Sequence, residues 1–291
     1  MVLAAACLAA ASLAGSAGAA QRAGAAKGAP KLIASDTVQS SNPVPFWGQI
    51  ECASQRRHEV ISVGGDPHPT WSGAGQGNDS FRRLHLLDGD DFYGERCELG
   101  NDNRRAPTAF YREGKRRITS ISLRLPQPGF DRDVQTWQVV MQMKQVWPAA
   151  NSAGTPVIEL GVHSGRWVLA QSRSPGYSEA SRTLWTAPAR GDTWTRFNFN
   201  VRYSKSRRKG RIKITVDLNG DLDYADAGER PRKIRTFTLK REIRGGGRDG
   251  LKPGASISSH LRTGIYHDPG IRCDPPGGCI IDVDNVQVVR P

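Results

Sequence analysis

The sequence predicts an all-β protein made of two packed antiparallel sheets. Three observations carry that prediction. Short segment after short segment alternates apolar and polar residues, the period-two signature of a half-buried strand. Turn-forming residues punctuate these segments: the 291-residue chain holds 32 glycines and 18 prolines. No long apolar stripe of helical period occurs beyond residue 20. Strands at this density without helices between them bury their apolar faces against one another as two sheets.

Residues 1–20, MVLAAACLAAASLAGSAGAA, are apolar and end in small residues, the pattern of a secretory signal cleaved near Ala19 or Ala20. A signal of this kind implies a secreted, extracellular protein with no membrane attachment once it is removed. Residues 21–43 are rich in Ala, Gly and Ser without periodicity and read as a linker, leaving residues 44–291 as one domain. Losing Cys7 with the signal leaves Cys52, Cys97, Cys273 and Cys279, an even number suited to an oxidising compartment. Cys273 and Cys279 bracket a Pro-Pro-Gly-Gly turn and are expected to pair, so Cys52 would pair with Cys97. No Cys-x-x-Cys or nearby His spacing supports zinc.

Along the domain, Phe81 to Leu87 and Glu95 to Leu99 (ERCEL) are short strands. In the second, Cys97 and Leu99 face inward while Arg96 and Glu98 face outward, as a surface ion pair or as a clamp in a groove. Ile118 to Leu125 alternates, and so does Trp137 to Gln145 (WQVVMQMKQ). The latter is expected to put Trp137, Val139, Met141 and Met143 on one face and Gln142 and Lys144 on the other. Val157 to Leu169 reads as a hairpin about Ser164-Gly165, with Glu159, Gly161 and His163 opposite Ile158, Leu160 and Val162. Trp194 to Tyr203 pairs with Arg211 to Val216 across a basic turn, and Ile280 to Val289 closes the domain.

The stretch Ser256 to Asp268, SISSHLRTGIYHD, has the most unusual polar face. His260, Arg262, Gly264, Tyr266 and Asp268 form one row, at about 7 Å per step, against Ile257, Leu261, Thr263 and Ile265 on the other side. A histidine, an arginine and a phenol in one row suit a binding strand as well as a plain exposed one. Gly264 is expected to leave room for a ligand to approach the backbone.

Three of these strands together resemble known motifs. ERCEL resembles the R-x-E-L element of the jelly-roll polysaccharide lyases, Gln142-Met143-Lys144 their Q-x-H element, and HLRTGIYHD their Y-x-K-x-G-x-Y-x-Q element. They stand in the right order, and each set of matched residues falls on one face. The run from Asp90 to Val289 is similar to the heparin lyase I-like polysaccharide lyases, which include glucuronan lyases. The resemblance implies a concanavalin A-like β-jelly roll with substrate across its concave sheet. It also implies β-elimination on an anionic, uronate-containing polysaccharide. It assigns Arg96 and Gln142 to the uronate carboxylate and Tyr266 to proton transfer. Lys144 stands in place of the family's histidine, so the base is Lys144, Tyr266 or His163, the last reaching in from a neighbouring strand. Glu98, His260 and Arg262 are expected to contact substrate, with His260 replacing the family's first tyrosine and Asp268 its glutamine.

The chemistry explains these residue types. Removing a proton from C5 of a uronate creates a dianionic, enolate-like species that needs preorganised donors, a base at C5 and an acid at the leaving O4. No cofactor is required for that chemistry. Separately, Asp217, Asn219, Asp221 and Asp223, followed by Asp226 and Glu229, place oxygen ligands at alternate positions, as calcium loops do. Leu222 takes the usual glycine position and the last acid falls at position thirteen, so the loop is either a structural calcium site or a solvated Asp/Gly turn. The formal net charge of +13 calls for a polyanionic partner. No aromatic RNA-binding box, zinc-finger spacing or basic zipper points to nucleic acid. A monomeric lyase is the favoured reading, with a non-catalytic glycan-binding module on the same fold as the alternative. The E-x-D-x-E strand of the jelly-roll hydrolases, which work with paired carboxyls, is absent.

Overall fold

The computed structural model describes residues 30–36, 38, 44–62, 80–101, 110–146, 154–244, 250–273 and 278–291. The proposed signal, including Cys7, lies outside them. In chain order the strands are β1 Lys31–Asp36, β2 Gly48–Cys52, β3 His58–Ser62, β4 Ser80–Leu86, β5 Arg96–Asn101, β6 Arg116–Arg124, β7 Gln138–Gln145, β8 Ile158–His163 and β9 Arg166–Ser172. They continue as β10 Ser181–Pro188, β11 Thr195–Arg202, β12 Arg211–Asp217, β13 Arg232–Arg235, β14 Lys240–Arg241, β15 Ser256–Ile257, β16 Ser259–His267 and β17 Cys279–Arg290. A single helical turn, Val44–Trp47, precedes β2.

Two antiparallel sheets make a jelly-roll sandwich. One runs β13-β12-β11-β6-β17-β4-β3, and the other runs β10-β9-β8-β7-β16-β5-β2. The twelve-residue β17 is long enough to take β4 along its first half and β1 along its second, both on one edge. β1 is a correction to the linker boundary: Lys31–Asp36 belongs to the sandwich. It follows directly on an Ala/Gly-rich run, which hid it, and its anchor is polar. The Asp36 carboxylate is buried and accepts from Arg82 Nε at 2.6 Å, Arg82 Nη2 at 2.8 Å and Trp47 Nε1 at 2.5 Å.

Alternation predicted the inner faces well. Phe197, Phe199 and Val201 of β11 and Ile212, Ile214 and Val216 of β12 are buried, facing Leu160 and Val162 of β8 and Trp167 and Leu169 of β9. Trp167 meets Phe197 edge-on at 5.0 Å, joining the two layers. Each such side chain contributes about 1.5–3 kcal/mol by leaving water. The hairpin turn is as expected: Ser164 and Gly165 both take positive φ, 50° and 68°, which suits the tight two-residue connection.

One expected facing changes at a bulge, and one expected strand divides. Val139 pairs with Gly161 and Met141 with Leu160, so Val140 is an extra residue on β7. The shift sends Val140, Met141 and Met143 into the core and leaves Trp137 and Val139 on the outer face with Gln142 and Lys144. The Ser256–Asp268 stretch is likewise two strands, β15 and β16, rather than one. Asp268 lies past the end of β16, where it accepts from Thr136 Oγ1 and Gly270 N; those bonds hold its carboxyl below the usual range. It shapes a turn and does not continue the polar row. Gly264 leaves no space for a ligand either. Its φ is +146°, and a Cβ there would lie 2.1 Å from the Cys97 carbonyl oxygen. The room is taken by the backbone of β5.

Candidate active site

The outer face of the seven-stranded sheet collects the polar residues of five strands by register. Glu51 of β2 pairs with Glu98 of β5, which pairs with Gly264 of β16. Arg96 pairs with Tyr266; Arg262 pairs with Gln142, which pairs with Glu159; His260 pairs with Lys144. Direct cross-strand neighbours point to the same side of a sheet, so residues distant in sequence become one surface.

Beneath this surface is an ion network. Arg262 Nη1 contacts Glu51 Oε2 and lies 4.0 Å from Glu98 Oε2. Arg96 Nη1 lies 3.5 Å from both Glu51 Oε2 and Glu98 Oε2. Gln142 Nε2 donates to Glu98 Oε1 at 2.6 Å. Two carboxylates thus offset two guanidiniums, as buried charges require. Burial pushes the Glu98 carboxyl upward, against the pull of Arg262 and Arg96. Arg262 Nε donates to His260 Nε2 at 2.9 Å, which makes this nitrogen the acceptor and puts the ring proton on Nδ1. Burial, with Arg262 and Lys144 close by, holds His260 well below its ordinary pKa, so it stays neutral.

Glu98 and His260, expected to contact substrate, are both fully buried, bonded to Gln142 and Arg262. Arg96 keeps an open function. Its Nη2 is bound to the Tyr93 carbonyl at 2.8 Å, its Nη1 faces the carboxylates, and its Nε has no partner. The guanidinium carbon sits 3.8 Å from the centroid of the Tyr266 ring, and Trp137 packs edge-on to the same ring at 4.8 Å. The phenol is thus gripped on two sides, by a cation and by an aromatic edge.

A cavity of about 420 Å³ opens beside the Tyr266 ring that Arg96 packs on, lined by Tyr266, Trp137, Lys144, Glu159, Thr155 and Ser181 among others. Lys144 Nζ donates to the Gly154 carbonyl at 2.9 Å, and burial, helped by Arg262, lowers its ammonium to about 8. A lysine so placed exchanges its proton near neutral pH while a phenol shares its cavity. That is the minimum a proton-transfer reaction needs. His163 is not part of this cavity. It is exposed, with Nε2 2.9 Å from the Gln135 carbonyl, in an adjoining depression of about 250 Å³. Trp137, Val139, Glu159 and Ser181 line both spaces.

The structure therefore brings Arg96, Gln142, Lys144, Arg262 and Tyr266 together and leaves His163 at the margin. Sequence reasoning missed Glu51, Trp137 and Glu159. Glu51 had a signal: it precedes Cys52 just as Glu98 follows Cys97, and the expected disulfide sets those two strands side by side. Glu159 is pushed up by burial despite a hydrogen bond from Ser181 and the nearby charges of Lys144 and Lys240.

The disulfides Cys52–Cys97 and Cys273–Cys279 are both present. In the Asp217 loop the acids serve the backbone. Asp217 Oδ1 accepts from Gly220 N at 2.6 Å and its Oδ2 from Leu222 N at 3.1 Å; Asp221 and Asp223 accept from Asp223 N and Ala225 N. Asn219 Nδ2 bridges Asp221 and Asp226, while the buried Glu229 carboxylate has one oxygen on Leu218 N and the other unpartnered.

Comparison with known proteins agrees with this architecture. A family described as polysaccharide lyase matches residues 53–272. Among solved structures, the endo-β-1,4-glucuronan lyase of the fungus Trichoderma reesei superposes with a TM-score of 0.53 at 15% identity, covering 84% of this chain and 91% of its own. An alginate lyase from Aplysia kurodai superposes with a TM-score of 0.55 at 9% identity, covering 89% of this chain and 99% of its own. No curated protein matches the sequence. At these identities the superpositions speak for the fold, and the family match over most of the chain speaks for descent: this chain belongs to the polysaccharide lyase family.

Proposed function

We propose that this lyase is exported and cleaves an anionic, uronate-containing polysaccharide by β-elimination. The observation that carries the reading is the shared cavity: Lys144, lowered to about 8, and Tyr266 line one space, and Arg96 packs on the Tyr266 ring at its side. The network is charge-balanced, His260 is neutral and burial pushes Glu159 toward its uncharged form, so protonated Lys144 leaves the site cationic and favours a carboxylate-bearing ligand. The fungal glucuronan lyase and the molluscan alginate lyase that share the fold support the same substrate class.

In this mechanism Arg96 meets the uronate carboxylate and stabilises the charge that develops on it as C5 loses its proton, while the buried Gln142, donating to Glu98, holds the network that seats Arg96. Lys144, as the free amine, takes the C5 proton. Tyr266 gives its proton to O4 as the C4–O4 bond breaks, and the electron pair from C5 becomes the C4–C5 double bond. His163 and Glu159 line the path of neighbouring sugars.

The test is ultraviolet absorbance of the conjugated unsaturated uronate product over alginate, glucuronan, heparin and related polymers. One or more uronans should yield it. Tyr266→Phe should lose at least ~100-fold in turnover and keep binding, because the phenol acts in proton transfer more than in grip. No such product from any uronan overturns the reading.

A further inference from the structure

The catalytic network is nearly neutral, so it does not account for the excess of Lys and Arg. Much of that excess lies on the other sheet. Register aligns Arg116 of β6, Arg202 of β11, Arg211 of β12 and Arg235 of β13 as successive direct neighbours, one arginine per strand in a single row. Two residues along, Lys213 pairs with Lys233 beside Asn200. The alternate residues Val201, Ile212 and Ile234 turn inward toward the core, so the cations face solvent. All four arginines are exposed. Arg116 donates to Asn200 Oδ1 at 2.8 Å, and among the described residues none of the four has a carboxylate partner. These side chains border an open depression of about 610 Å³.

Like charges directly opposite on neighbouring strands destabilise a sheet. The fold gains nothing here from the identity of the outward residues, since the inward ones supply the packing. Four in a row, at the strand spacing of about 4.8 Å, make a fixed comb of guanidiniums. Each is a planar fork suited to a carboxylate. A polymer with one carboxylate per sugar presents charges at a repeat of the same order. The next outward positions, Asn200, then Asn198 bonded to Ser120 Oγ at 2.6 Å, offer neutral groups suited to sugar hydroxyls.

We propose that this row is a second binding surface for the anionic polysaccharide, on the sheet opposite the catalytic cavity, holding the polymer between cuts. It rests on the uronate reading above for its ligand, but it needs no turnover to be measured.

The experiment compares the full protein with its Arg202→Gln, Arg211→Gln, Arg235→Gln triple variant. Affinity for long-chain glucuronan and alginate is read by affinity electrophoresis in a Tyr266→Phe background, where the polymer stays uncut. Turnover is read on a uronate tetrasaccharide with Tyr266 in place. The expected result is a polymer Kd weakened about tenfold, an unchanged tetrasaccharide rate and a melting temperature at or above that of the wild type, since like-charge repulsion across the strands is relieved. The Arg→Lys triple variant, which keeps the charge and loses the fork, should fall between the wild type and the Gln variant. Unchanged polymer affinity in the Gln variant overturns the proposal. So does tighter binding of duplex DNA than of either uronan through the same arginines, which would make the row a nucleic-acid surface. Failure of the lyase reading looks different: the wild type yields no unsaturated product, whatever the row retains.

Discussion

Lys144 shows what a single position tells in sequence and what it withholds. Its facing was legible, one and three residues from the core methionines Met143 and Met141 on an alternating strand. Its proton affinity was not, because the burial that lowers it comes from the Gly154–Pro156 segment and from β16, far along the chain. With Lys144 as base, the rate should climb as pH rises through about 8 and level off above it. Lys144→Ala should flatten that rise and cost at least ~100-fold in turnover; a small loss would pass the base role to Tyr266. The same burial acts on stability. Lys144 and Lys240 both have folded pKa values of about 8, below the ordinary 10.5 of lysine. Below pH 8 the folded state carries both costly charges. Between pH 8 and 10.5 the unfolded chain binds more protons than the folded one, so these two groups make stability rise with pH in that window. Chemical denaturation at pH 8 and pH 10, in wild type against Lys144→Met, measures the share due to Lys144.

At the scale of elements, alternation located the long inner strands and failed where a strand is bulged or held by polar bonds. The extra residue at Val140 reverses the facing of everything before it, and nothing in WQVVMQMKQ marks that position. Gly264 did mark the bulge in its own strand, although its meaning is close strand contact. Gly264→Ala places a Cβ against the Cys97 carbonyl at a φ that L-residues rarely adopt. It should cost about 3 kcal/mol or more and reduce activity even where the protein folds, because Arg262 and Tyr266 flank it. The Asp217 loop is the other informative element. Its acids mostly bind their own backbone, which a turn needs no metal to do, and yet Glu229 keeps a buried oxygen without a partner beside Asp217, Asp221 and Asp226. We propose that calcium satisfies that oxygen and stiffens the turn. Melting temperature should rise with added calcium and fall with a chelator; a value unmoved by both would leave the loop as a self-bonded turn.

On the scale of the molecule, the two-sheet sandwich and its disulfides were legible because hydrophobic period and cysteine count are global properties. The meeting of β2 with β5 at the site was not, since it depends on which edge strand docks where. β2 is that edge, and it carries Glu51, the carboxylate that holds Arg262 and steadies Arg96. An edge strand has hydrogen bonds on one side only, and the Cys52–Cys97 bridge ties this one to its neighbour one residue from Glu51. Closing loops of 45 and 6 residues, the two bridges contribute about 4 and about 2 kcal/mol. Cys52→Ser with Cys97→Ser should lower stability by roughly the larger figure. It should also raise KM at temperatures where the sandwich is still folded, as Glu51 drifts and Arg262 loses its seat. The bridge therefore acts as a commissioning step. With both thiols reduced the chain carries every side chain of the site but lacks the fastening that sets their alignment, so that alignment arrives with oxidation.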